Sequence, residues 1–194
     1  MPKNQTLDEF YSTFREEVLC ASDTETSGWT TEDFLTNVMM EYLEEAGEVT
    51  DPVICPFRGY GLQMNAYAIS EDCESVDIFV SIYSESDRPR SVSQADIDAA
   101  IKRAIQLYHK AINDLYTAFQ KDNDTYEFAI TLHQNKDNIK HVRICALTNG
   151  LVKPIALKNI TIGDAEISFS LWDVDRLYRC VTSGKCVKQS KLIL

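Results

Sequence analysis

The chain has 194 residues, 44% of them hydrophobic and 25% charged, with a net charge of −11. That length and composition fit one compact domain with a sizeable core and exclude a disordered chain. No apolar run of about 18 residues is present to cross a bilayer, MPKNQTLDEF carries no apolar leader core, and a cytoplasmic location is expected.

In chain order, the first helix is predicted from Thr6. Thr6 and Glu9 form a T-x-x-E capping box, and Leu7, Phe10, Phe14 and Val18 repeat at helical spacing. SDTETSGW (22–29) is a polar loop. A second helix follows, capped by Thr30 or Thr31, with Phe34, Val38, Tyr42 and Ala46 as its stripe and Gly47 as its stop signal. Residues 7–50 hold twelve acids and Arg15 as their one base, so both helices bury an apolar face and show an acidic one.

DPVICPFRGYG (51–61) predicts a short extended segment and a turn. Strands are predicted near 62–69 and 75–83. In the second, Val76, Ile78, Val80 and Ile82 point one way and Asp77, Phe79, Ser81 and Tyr83 the other. The unbroken apolar face belongs under a helix. After the loop SESDRPRS (84–91), a long helix is predicted over about 93–121, roughly 40 Å from end to end. YEFAITLH (126–133), HVRICALTN (141–149) and AEISFSLW (165–172) predict strands, with a hairpin turn at QNKDN (134–138). WDVDRLYRCV (172–181) predicts a short helix. The order is α, α, β, β, β, long α, β, β, β, short α. It predicts an α/β (α+β) fold, a mixed sheet flanked by helices, as a single domain over 1–194.

Charge is unevenly spread. Residues 1–135 hold nine basic and 25 acidic residues, and residues 136–194 hold ten basic and five acidic. A phosphate backbone needs a basic surface, so the first part disfavours nucleic acid. Lys136, Lys140, Arg143, Lys153 and Lys158 form a candidate basic surface. The six cysteines form no CxxC pair and have no histidine placed for zinc, so free thiols and no structural metal are expected. His109, His133 and His141 make no assignable nucleophile–base pair, and neither GxxxxGK[ST] nor GxGxxG occurs.

Several segments together resemble the N-terminal region of the abortive-infection phage-resistance family. They are EEAGEV (44–49), GLQMNAYAIS (61–70), VDIFVSIYS (76–84), SQADIDAAIKRAIQLY (93–108), HVRICALTNG (141–150) and SLWDVDRLY (170–178). The resemblance covers nearly the whole chain. It implies a restriction-endonuclease-like fold of the PD-(D/E)xK type and an N-terminal domain of a longer protein.

That chemistry needs an aspartate on one strand, then a Glu or Gln and a lysine two residues apart on the next, with a helix glutamate assisting, around a divalent metal. Carried over to this chain, the aspartate falls on Asn65, the Glu/Gln on Val80 and the lysine on Ile82, while Glu45 or Glu48 supplies the helix acid. Asn65 offers a neutral oxygen, and Val80 and Ile82 offer none. The resemblance therefore implies a catalytically degenerate domain, without cofactor or bound metal, that acts as a binding, assembly or regulatory module. Its expected partner is another protein or its own C-terminal domain, with a homo-oligomer as a further arrangement. Two alternatives stand beside it. One is an active nuclease using magnesium or manganese on displaced ligands that include Asp77. The other is an acidic interaction module or nucleic-acid mimic.

Overall fold

In a computed structural model of the chain, residues 5–24 and 28–183 are described. Helices α1 (Leu7–Thr24) and α2 (Thr31–Glu45) come first, then strands β1 (Val53–Gly59), β2 (Leu62–Ile69) and β3 (Ser75–Ile82). Next are α3 (Gln94–Ala111), a 3-10 turn (Leu115–Ala118), α4 (Asp124–Gln134), β4 (His141–Thr148), β5 (Ile160–Ile162), β6 (Ala165–Trp172) and α5 (Val174–Ser183). The sheet order is β1-β2-β3-β4-β6-β5. β1, β2 and β3 form an antiparallel meander. β4 and β6 extend it in parallel, and β5 closes the far edge antiparallel to β6. The mixed α/β architecture expected from the sequence is present.

Local signals set the helix ends. The Glu9 carboxylate accepts from the Thr6 N–H at 2.8 Å, and the Glu9 N–H donates to Thr6 Oγ1 at 3.3 Å, closing the first capping box. Asp33 does the same for Thr30, accepting from its N–H and its hydroxyl, both at 2.8 Å. Gly47 stops α2 with φ +70°, a left-handed backbone that costs a glycine little.

Three elements depart from the sequence expectation. The long helix ends at Ala111 instead of running to 121. The Asn113 side-chain amide donates to the His109 carbonyl at 2.7 Å, a local bond that competes with helical continuation. The stripe survives the break because the 3-10 turn keeps Leu115 in the core, with Ile112 and Phe119 against it. Residues 126–133 are helical, within α4, and 134–138 is a helix exit rather than a hairpin turn. Tyr126, Phe128, Ile130 and Thr131 favour strand as individuals. The buried residues Thr125, Phe128, Ala129 and Leu132 nevertheless follow helical spacing, and Asn123 caps the Thr125 N–H at 2.8 Å. The three-residue edge strand β5 was too short to give a pattern. Among the cysteines, Cys55, Cys73 and Cys145 are free thiols as expected. Cys180 is disulfide-bonded, a departure, because the expectation weighed compartment and not local pairing.

The sheet separates two cores. On one side α3 and α4 cover Val76, Ile78 and Val80 of β3 with Val142, Ile144 and Ala146 of β4. On the other, α1, α2 and α5 cover Phe79, Cys145, Leu147 and Trp172. The alternation in β3 was therefore legible, and Ile82 packs on the α3 side with the rest of its face.

Capping gives a direct test of α4. Asn123→Ala should lower stability by about 1 kcal/mol, read as a lower urea midpoint at unchanged slope. No loss would return residues 126–133 to a strand.

Candidate functional site

The middle of β2 departs from strict alternation. Met64 faces the α3 side, whereas Ala66, two residues on, faces the α2 side. Asn65 lies at this slip, and the β1–β2 register also shifts between Ile54 and Phe57. On the other side of β2, the regular β2–β3 pairing runs from Ile69↔Val76 to Ala66↔Phe79. Beyond that point, side chains replace the ladder. The Ser81 N–H donates to Asn65 Oδ1 at 2.9 Å, and Gln63 Nε2 donates to the Ser81 carbonyl at 3.2 Å.

The first turn of α2 closes over these amides. Asn65 Nδ2 donates to Asp33 Oδ1 at 3.0 Å and lies 3.4 Å from Glu32 Oε1. Gln63 Nε2 donates to Glu32 Oε1 at 3.1 Å, and Arg58 pairs with the same oxygen at 2.6 Å. From α3, Arg103 Nη1 donates to Gln63 Oε1 at 3.2 Å. The Thr36 and Ser81 hydroxyls share a buried bond of 2.6 Å. Beside this network is a cleft of about 360 Å³ whose lining includes Trp29, Glu32, Asp33, Phe57, Arg58 and Asn65. Burial raises the Glu32 carboxyl above its usual pKa, against the Arg58 charge, which pulls it down.

The groups suit mutual hydrogen bonding better than a metal ion. A divalent cation needs carboxylate or amide oxygens with free lone pairs. Asn65 Oδ1 is turned to a backbone N–H. Both Asp33 oxygens are engaged, one by Asn65 and one by the capping box, and Glu32 Oε1 is held by a guanidinium. Among the described residues, no three His, Cys, Asp or Glu side chains are arranged to hold a metal ion. The divalent metal used by an intact PD-(D/E)xK site does not fit this donor set.

The other sequence-selected residues are dispersed. Val80 and Ile82 pack on the α3 side, away from Asn65. Glu45 is exposed at the far end of α2. Glu48 and Asp77 line a separate cleft of about 400 Å³ with Arg143. Asp77 is paired there with both Arg143 Nε, at 2.9 Å, and Nη2, while Arg143 also reaches the Glu48 carbonyl at 3.1 Å. Burial works most strongly against the Arg143 charge, but the Asp77 bonds and the surrounding negative charge, Asp77 and Glu48 included, together outweigh it and raise its pKa above that of a free arginine.

That pairing removes Arg143 from the candidate basic surface. Lys136 and Lys140 are exposed before β4, and Lys153 and Lys158 after it. β4 is eight residues long, about 26 Å of strand, so Lys153 lies apart from Lys136 and Lys140, whereas Lys158 returns toward the Lys140 end just before β5. In WDVDR, Asp173 caps α5 by accepting from the Arg176 N–H at 2.8 Å, and Arg176 stacks 3.7 Å over the Trp172 ring.

Sequence reasoning placed the helix acid at the wrong end of α2. The acids beside Asn65 are Glu32 and Asp33, twelve or more residues before Glu45. The capping box at Thr30 marked their position but not the direction of α2 across the sheet, and only that direction decides which end meets Asn65.

These features define a class: a mixed-sheet α/β domain with a cleft of acids and amides at the point where its central strands part. More particularly, the chain belongs to the abortive infection phage resistance protein N-terminal domain family, whose model matches residues 35–179, about three quarters of the sequence. The match contains Asn65, Val80 and Ile82 and begins just after Glu32 and Asp33. No curated protein matches the chain, and no solved structure does. No helix among the described residues is long and apolar enough to cross a membrane.

Two substitutions test the network. Asn65→Asp replaces a donor with a third carboxylate beside Glu32 and Asp33. It should cost about 1–3 kcal/mol at neutral pH, and the loss should shrink on acidification as the crowded acids protonate. Glu32→Gln should change the pH slope. Because its folded pKa is raised, wild-type Glu32 lowers stability as pH rises through that pKa. Urea midpoints measured from neutral pH into the acid range should show less of this decline in the variant.

Proposed function

We propose that this chain is a catalytically degenerate, restriction-endonuclease-like domain. It serves an abortive-infection protein in the cytoplasm as a binding, assembly or regulatory module. The observation that carries the reading is the state of Asn65. Its carbonyl satisfies the strand backbone at Ser81, and its amino group satisfies Asp33. A side chain at the catalytic aspartate position has become part of the sheet's own hydrogen bonding. Val80 and Ile82, carried over to the remaining motif positions, support the same reading from within the α3-side core. Family membership supports the defence context.

A displaced-ligand nuclease would need Glu45, Glu48, Asn65 and Asp77 on one scissile phosphate. The Asp77–Arg143 pair and the bonded Asn65 argue against that set.

Incubation with single- and double-stranded DNA and RNA, in magnesium and in manganese, should give no cleavage above a protein-free control. Metal-dependent cleavage that disappears in Asp77→Ala or Glu48→Ala would overturn the proposal in favour of a nuclease.

A further inference from the structure

Within an α3–α4 layer that also exposes Asp96, Asp98, Asp114, Asp122, Asp124 and Glu127, α3 carries a local basic stripe. On the α3 layer, Lys102, Arg103, Gln106, His109 and Lys110 are exposed along one side of a single helix, although residues 1–135 are strongly acidic overall. Neither Lys102 nor Lys110 is in an ion pair among the described residues; the pairs there are Arg58–Glu32, Arg143–Asp77 and Arg179–Asp175.

Beside this stripe, a cleft of about 340 Å³ has Leu62, Ile105 and Ile162 on its floor and Gln106, His109 and Lys110 on its rim. Tyr60 overhangs it from the β1–β2 turn and is 96% exposed. Its φ is +55°, a left-handed backbone unusual for a bulky residue. With Gly61 at φ +76°, Tyr60 makes the two-residue β1–β2 hairpin turn, which needs positive φ at both positions and holds the ring out beside the cleft.

Across the sheet, α1 and α2 present Glu16, Glu17, Glu41, Glu44 and Glu45, all exposed and without ion pairs among the described residues. Their field is felt locally. The Tyr42 hydroxyl, which donates to Glu17 at 2.8 Å, is pushed to a higher pKa by burial and then by Glu17, Glu45 and Glu41. The helices match in length: α1 and α3 each have 18 residues, about 27 Å.

We propose that the α3 stripe and the Tyr60 cleft of one copy receive the acidic α1–α2 surface of a second copy. This inference rests on the reading of the domain as an assembly module and names the partner and the faces. Because the two faces lie on opposite sides of the sheet, the contact is head-to-tail, and each added copy presents a fresh face for the next.

Analytical ultracentrifugation of the chain at about 50 mM and about 500 mM salt, which shortens the screening length of surface charges, provides the test. Mass should grow with concentration at low salt and fall back to monomer at high salt. Lys102→Glu with Lys110→Glu should give monomers, as should Glu41→Lys with Glu45→Lys. An equal mixture of these two variants should assemble again, because each restores the charge that the other lacks. Tyr60→Gly removes the backbone strain, so it should leave the fold at least as stable and weaken association about tenfold, a change of about 1.4 kcal/mol. A monomer at every concentration, or assembly that the substitutions do not alter, would overturn the inference. A chain that cuts nothing yet stays monomeric loses this interface and keeps the reading under Proposed function.

Discussion

The bond from the Ser81 N–H to Asn65 Oδ1 governs the centre of this domain. A strand that loses its ladder partner while buried exposes backbone groups that cost about 1–3 kcal/mol each if left unpaired. β2 and β3 part in this way after Ala66 and Phe79, and water has little access there, since Ser81 and Asn65 are 1% and 3% exposed. The two amides of β2 substitute for the missing ladder, Asn65 at the Ser81 N–H and Gln63 at its carbonyl. Amides suit the task because each carries both an acceptor and donors. A carboxylate would satisfy the N–H but could donate nothing to Asp33 or to the Ser81 carbonyl. The arrangement of Glu32, Asp33 and Arg58 around the amides follows from that requirement.

The same logic holds elsewhere on the α2 side of the sheet, where polar groups lie half-buried. Asp77 and Arg143 sit side by side on paired parallel strands and neutralise each other. Arg176 lies flat on Trp172 and donates to the Leu171 carbonyl at 2.6 Å. Burial lowers the Arg176 pKa, which marks how far its charge has been taken from water. The matching is incomplete: Arg176 Nε and Arg15 Nε are buried without a hydrogen-bond partner among the described residues, so the polar interior there is satisfied only in part.

Much of this was readable in advance, for identifiable reasons. β3 and β6 were legible because alternation over eight residues is a strong signal, and α1 and α2 because caps, stripe and glycine stop agree. α4 was misread because its β-favouring residues carry a local preference that burial of Phe128 and Leu132 against α3 overrides. The end of α3 was missed because the apolar stripe continues through the 3-10 turn, so periodicity alone does not register the break at Asn113. At the site, Asn65 was found through motif position. Its partners were not, because Glu32 and Asp33 come from a helix more than 30 residues earlier and their approach depends on how α2 crosses the sheet.

The parallel pairing of β3 with β4 also bears on how the chain comes to be folded. Asp77 and Arg143 stand 66 residues apart in sequence, with α3 and α4 between them. As the chain leaves the ribosome, the β1–β3 meander can form while the inner edge of β3 still has no neighbour. β3 then has an unpaired backbone edge beside a bare apolar face of Val76, Ile78 and Val80, the kind of template that pairs with the wrong chain. α3 is made before β4 and lies across β2 and β3 in the finished fold. A helix of local contacts forms much faster than a long-range strand pair. It can therefore cover that face while β4 is still being synthesised, acting as an internal guard for the sheet before it becomes part of the core.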